Sequence, residues 1–387
     1  MKQKNLKLFF IHEALFYFSD SMLVIVLPIF VYKLFGTPSA IFAFSMVWNL
    51  IYFCLFIPIF NKAMLSGKPK NFMILGIIFY IAAQIMFGKT TVDNRMLIIP
   101  ATLLFALYVS FYWMVRHWFF SVNADAEKIG KQVSCIGIIR LIIGFIAPVI
   151  GGWLSFFVSF NATFILGSIA GLLSIIPILF FYAPPHPRGY DWQKVRRILK
   201  KPELQAIRPA YFWEGISLYF INTCWILVFT IFIGNIKEFG TLVGVTTLVA
   251  VILTRLSGHM FDKGRRVKIL VRFTTLKTIG VIMYASVFLY PKMAYAWGVE
   301  LFNRFATNLH QTFIDSYLFG HSSKIHPVHF HLNREVHISI ARVMSSGFLA
   351  IIFCFIPEKF LWLSIFIGAF TTLGWLSLKH GDHLLKR

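Results

Sequence analysis

Acidic residues are scarce in this chain. Its 387 residues hold 15 Asp and Glu against 37 Lys and Arg, and only 13% are charged. So little charge excludes a water-soluble domain of ordinary composition, whose surface needs about twice as much. Cysteine is nearly absent as well. Cys54, Cys135, Cys224 and Cys354 fall in or beside separate apolar runs, which leaves no C-x-x-C pair for zinc or redox work and no disulfide framework. Catalytic signatures are missing too: neither H-E-x-x-H, G-x-S-x-G nor a phosphate-binding loop occurs. The segments between apolar runs are too short to house a soluble catalytic domain. The chain is therefore expected to be no enzyme and to carry no cofactor and no resident metal.

What is present is apolar. Hydrophobic residues make up 58% of the chain, including 44 Phe and 10 Trp, and the mean hydropathy is +0.73. A bilayer core requires about 20 apolar residues per helical crossing. Twelve such runs lie near 8–32, 39–60, 71–88, 96–120, 135–157, 162–183, 210–233, 239–257, 267–289, 293–318, 338–356 and 360–378. Backbone groups in lipid must be satisfied within the segment, and no barrel-like alternation appears, so the class is an all-α polytopic membrane protein. The net charge of +22 superficially suits nucleic acid. Its basic residues, however, sit in short loops on one side: Lys2 to Lys7, Lys62 to Lys70, Lys128 and Lys131, 188–208, 263–268, 324–334 and 379–387. By the positive-inside rule that side is cytoplasmic. A cell-membrane protein with both termini inside, the lipid bilayer as partner and no nucleic acid is the expectation. Glu13 and Asp20 in the first run, with no small-residue cleavage site, argue against a removable signal peptide.

The most specific motif lies between two of these runs: Gly258, Asp262, Gly264, Arg265 and Arg266 in Gly-His-Met-Phe-Asp-Lys-Gly-Arg-Arg. It resembles the cytoplasmic loop signature of the major facilitator superfamily. That resemblance implies twelve transmembrane helices in two pseudo-symmetric six-helix bundles, working by alternating access. The chain also repeats itself. Lys131-Gln-Val, Arg140 and Gly144-Phe145 are echoed by Arg334-Glu335-Val, Arg342 and Gly347-Phe348, and the first loop keeps Gly67 but has Leu65 in place of the acid. The expected division is a bundle over 1–183, a linker over 184–209 and a bundle over 210–387. In the linker, Trp192, Val195, Ile198 and Leu199 share a face, as in an interfacial helix. The loop's charges are expected to act as a gate with Arg140, Glu335 and Arg342 as partners. Ala147-Pro148-x-x-Gly151-Gly152 resembles the superfamily's antiporter motif, although close helix packing is its expected role.

Polar residues inside lipid cost at least about 2.5–3.5 kcal/mol each and mark cavities or partners. Here they concentrate in the first, fourth, seventh and tenth runs, which the resemblance places around the central cavity. Glu300, Arg304, Thr307, Gln311 and Asp315 share one face of the tenth run. Glu300 and Arg304, one turn apart, form a pair; Arg304 also offers a donor fork for a carboxylate or phosphate. Glu13 and Asp20 share a face of the first run, with Glu13 expected to pair with a basic residue and Asp20 to titrate. Tyr112, Arg116 and Glu214 complete the candidate cavity. Lys277 has no role legible in the sequence. His321, His326, His329, His331 and His337 read as a solvated loop interrupted by Pro327. Function is expected to be secondary transport of a small organic solute by a monomer, coupled to protons. Excess acids favour export of a cationic or zwitterionic compound. Uptake of an organic anion held by Arg116 and Arg304, and lipid translocation or a non-transporting role, are the alternatives.

Overall fold

Long apolar runs leave the backbone only its own hydrogen bonds, and the computed structural model is helical accordingly. It describes residues 2–124, 129–182, 197, 200–257, 266–322 and 327–379, and no strand occurs among them. The helices are α1 (Lys2–Phe35), α2 (Pro38–Leu65), α3 (Pro69–Lys89), α4 (Ile98–Asn123), α5 (Ile129–Phe157) and α6 (Phe160–Leu179), then the short α7 (Pro202–Ala206). They continue as α8 (Arg208–Ser217), α9 (Cys224–Phe232), α10 (Ile236–Ser257), α11 (Arg266–Ser286), α12 (Met293–Ser322), α13 (Pro327–Phe355) and α14 (Leu361–Thr371). Local signals set several starts. Pro38 and Pro69 open α2 and α3, where a missing N–H costs nothing. The Ser159 hydroxyl accepts from the Ala162 N–H to cap α6. Gly67 turns the α2–α3 loop at φ +68°, a conformation that favours glycine.

Ten helices among the described residues are long and apolar enough to cross a membrane. The chain is thus a multi-pass membrane protein. α12 is not one of the ten, because Glu300, Asn303, Arg304, Thr307, Asn308 and Gln311 interrupt its apolar surface. Three expectations change in detail. The seventh run is no single α-helix: α8 and α9 are joined by a π-helical turn over Leu218–Thr223. The twelfth ends as a 3-10 helix from Thr372 to Ser377. The eleventh begins eleven residues early, since Pro327 opens α13 rather than breaking a loop. His329 and His331 are consequently buried in a helix and His337 is half-buried on it, which corrects the solvated-loop reading for all three.

Within the first half, α3 packs on α4 and α6, α1 on α5 and α6, and α2 on α4. In the second, α8 packs on α13, and α12 on α10 and α11. The halves meet along two seams, α5 with α10 and α2 with α13. Lipid offers no hydrophobic drive between helices, so close van der Waals approach must hold them. The first seam is built from glycine. A Cβ on Gly240 would lie 2.3 Å from the Pro148 carbonyl oxygen, and one on Gly152 2.6 Å from that of Ile236. The expectation that Pro148 to Gly152 serve close packing holds here. On the second seam the Ser39 hydroxyl donates to the Ala350 carbonyl at 2.8 Å, and Phe42 stacks on Phe353.

Candidate functional site

Buried charge in lipid must be neutralised in place, and three ion-pair groups do this. In the first half, Glu13 of α1 is 3% exposed and takes both oxygens to Arg116 of α4: Arg116 Nε donates to Oε1 at 2.8 Å and Nη2 to Oε2. Arg140 of α5 reaches the same Oε2 at 3.5 Å. The Arg116 guanidinium is 4% exposed and lies over the rings of Phe9 and Trp113. Beside it, His12 is fully buried, with Nδ1 on the Ser174 carbonyl and Nε2 on the Tyr112 hydroxyl, at 2.9 and 2.8 Å. Tyr112 is thus a packed α1–α4 contact rather than a cavity wall. Glu13 does pair with a cation as expected, but the cation comes from a helix and not from a loop.

In the second half, Glu300 of α12 is 0% exposed. Its Oε1 accepts from Arg304 Nη2 at 2.5 Å and Nε at 3.1 Å. Its Oε2 accepts from Trp225 Nε1 at 2.9 Å and from the Tyr284 hydroxyl. Trp225 and Tyr284 stack with centroids 4.1 Å apart. The carboxylate is fully satisfied, and the expected Glu300–Arg304 pair is present. Arg304, by contrast, keeps 29% of its side chain exposed. Trp225 and Tyr284 carried no signal in the sequence, since each is one aromatic among many.

The third group belongs to α8 and α13. Arg334 Nη2 meets Glu214 at 3.1 Å, and Arg334 Nη1 meets Glu335 at 2.9 Å. Glu335 also accepts from the Tyr52 hydroxyl of α2 at 2.9 Å, across the seam. Glu335 thus holds Arg334 and Tyr52, and Arg140 reaches Glu13 at 3.5 Å; the 258–266 loop expected as their partner lies outside the described residues. Arg342 is half-buried with no hydrogen bond to its Nε, and it acts electrostatically on Tyr52 and Tyr219. Gly258, Asp262, Gly264 and Arg265, the side chains of Arg266 and Asp315, linker residues 184–196, Ile198 and Leu199, His326 and the side chain of His321 lie outside the described residues. Gln311 is half-buried on α12.

Two residues stand apart from these pairs. Asp20 on α1 is half-buried and has no lysine or arginine at salt-bridge distance among the described residues. The charges acting on it are Arg140, Glu13 and Arg116. Lys277 is half-buried on α11, where the charge of Glu214 acts on it. The halves also touch through rings: His117 of α4 stacks on His331 of α13 at 4.9 Å, and Ser121 Oγ meets His331 Nε2 at 3.3 Å. No cluster of three or more metal-ligating side chains occurs among the described residues.

A bundle of long apolar helices, with two seams between its halves and buried ion pairs within it, defines the class: a multi-span membrane protein. The model of the Major Facilitator Superfamily matches residues 9–321. The chain belongs to that superfamily, and it is a transporter rather than an enzyme. Two solved structures of a POT family transporter are similar in fold. One, in complex with a thioalcohol-conjugated peptide, has a TM-score of 0.76 at 11% identity. The other, in complex with 5-aminolevulinic acid, has a TM-score of 0.75 at 11% identity. In both cases 99% of this chain and 96% of that chain are covered. A comparison with the curated proteins finds no match.

Proposed function

We propose that the chain is a proton-coupled secondary transporter of a small organic solute, working by alternating access between bundles 1–183 and 210–387 of six membrane helices each. A monomer in the cell membrane with both termini cytoplasmic completes the reading. Loop charge supports the orientation, and the seams supply surfaces on which one bundle can rock against the other. The solved neighbours, in complex with a peptide conjugate and with 5-aminolevulinic acid, support a small-solute substrate.

Asp20 is the observation that carries the coupling. Glu13, Glu214, Glu300 and Glu335 each hold an arginine, so protonating any of them breaks an ion pair. Asp20 exchanges a proton without that cost, from a position facing Arg140. The same pairing weakens the case for a cationic solute, because Glu13, Glu214 and Glu300 already hold arginines. Nor is Arg116 free for an anion, since Glu13 occupies it. Asp20→Asn reconstituted in liposomes tests the reading. The variant is expected to exchange solute across a membrane with no gradient yet fail to accumulate it against one. Undiminished gradient-driven accumulation would refute coupling through Asp20.

A further inference from the structure

Where α4 meets α13, two histidines close the gap between the halves. His117 and His331 stack with centroids 4.9 Å apart and rings 15° from parallel. The contact lies in the last turns of α4 and the first turns of α13. At the same end of the bundle Asn5, near the N-terminus, bonds Asn123. The far end of α13 meets the first half again, through Ser39 with Ala350 and Phe42 with Phe353. Those contacts exchange no proton, whereas histidine is the side chain whose ordinary charge change falls between about pH 5 and 8.

The hydrogen bonds fix the charge state in which the stack forms. Arg116 Nη1 lies 3.1 Å from His117 Nδ1. A guanidinium only donates, so Nδ1 must accept and His117 carries its one ring proton on Nε2. Ser121 Oγ donates to the His117 carbonyl at 2.9 Å, which uses its one hydrogen. At 3.3 Å it therefore accepts from His331 Nε2. His331 Nδ1 is then a buried acceptor with no hydrogen-bond partner among the described residues. Both rings are neutral in this arrangement. A proton on His117 Nδ1 would meet Arg116 at hydrogen-bond distance. Arg116 cannot retreat, because Glu13 holds its Nε and Nη2. The imidazole must move instead. Two like charges so close repel more strongly than a cation over a ring attracts, so stacking on His331 does not rescue the contact.

We infer that the His117–His331 stack is a proton-operated latch between the halves, closed only while both rings are neutral and released by a proton on His117. The other charged and titratable groups around the pair are Arg140 on α5, Arg334 and Glu335 on α13, Glu214 on α8 and Tyr52 on α2. Arg140 and Arg334 add to the repulsion, while Glu214 and Glu335 are already held by Arg334. His117 is half-buried, so water can deliver the proton. The inference rests on the transporter reading, in which the halves rock, and adds to it a second proton site with a mechanical task. With this end on the cytoplasmic side, a proton taken up there favours the state in which the inner end is open.

The test is a distance measurement between the halves by double electron–electron resonance, on the full-length chain in detergent with no solute and no gradient. The native cysteines are replaced, and spin labels are placed on Lys62→Cys of α2 and Gln205→Cys of α7, both exposed positions at this end. α7 reports on the second half because Asn333 of α13 donates to the Leu204 carbonyl at 3.1 Å. The otherwise unaltered protein is expected to show a short distance at about pH 8 and a growing longer one as the pH falls to about 5.5. A single-proton switch changes the ratio of the two by at most about tenfold per pH unit. His117→Gln keeps an acceptor and takes no proton, so it is expected to hold the short distance at both pH values. His117→Lys, charged across this range, is expected to populate the longer distance even at pH 8. Opposite responses of these two variants exclude misfolding as the cause, since loss of fold would broaden both distributions alike. Asp20→Asn should respond to pH as the unaltered protein does. A distribution unchanged by pH, an equal response in His117→Gln, a short distance kept by His117→Lys, or loss of the response in Asp20→Asn overturns the latch. None of those results touches coupling through Asp20, which the accumulation assay decides, and retained accumulation by Asp20→Asn would remove that coupling and leave the latch intact.

Discussion

Glu300 and Asp20 are both carboxylates inside a lipid-spanning bundle, and their surroundings give them opposite tasks. Glu300 is enclosed by four donors from Arg304, Trp225 and Tyr284. Breaking a buried pair by removing one partner costs about 3–5 kcal/mol, because the remaining charge and donors stay unsatisfied. Glu300→Ala is therefore expected to lower the melting midpoint in detergent markedly, whereas Asp20→Asn, which breaks no ion pair, should shift stability by less than about 1 kcal/mol. Thermal unfolding of the two variants beside wild type checks the contrast. Part of this was legible in the sequence. The i, i+4 spacing of Glu300 and Arg304 announces their pair, and two acids one above the other in the first run announce a polar face. The bond between Glu13 and Arg116 was not legible, because residues 103 positions apart carry no local signal. The alternative of an anion held by Arg116 was therefore weighed without its partner Glu13.

Helices fared better than their details. Runs of about 20 apolar residues mark spans because lipid allows little else. The π-helical turn at Leu218–Thr223 contains neither Gly nor Pro, and nothing in its composition foretells it. Such turns occur often at functional sites, and this one lies between Glu214 and Trp225, two residues of the charged groups. The glycines of α5 were legible as packing residues, but Gly240 as their counterpart was not, since pairing across seams is tertiary. The α2–α13 seam offers a direct test of rocking. Ser39 Oγ lies 3.0 Å from the sulfur of Cys354. Ser39→Cys places two thiols there within reach of a bond. Oxidation of that variant is expected to stop transport, and reductant to restore it; unaffected transport by the crosslinked protein would mean that this seam does not open.

At the scale of the whole molecule, the charges form a gradient of commitment. Glu13–Arg116, Glu300–Arg304 and Arg334 with its two glutamates are closed groups, of which Glu13–Arg116 ties α1 to α4 and Glu214–Arg334 ties α8 to α13. Asp20, Arg140 and the outer part of Arg304 are open, and they lie on α1, α5 and α12 of opposite halves. The proposed proton coupling rests on Asp20, the open acid among them. The polar residues of the first and tenth runs marked α1 and α12, whereas Arg140 of α5 was read only as a gate partner, and burial, which no spacing reveals, separated the open groups from the closed. The most direct measurement records pH inside proteoliposomes when a gradient of a transported solute is imposed with no initial pH difference. Protons moving with the solute flux, and not moving in Asp20→Asn, is the expected result. Solute flux with no change in internal pH would contradict proton-coupled transport through Asp20.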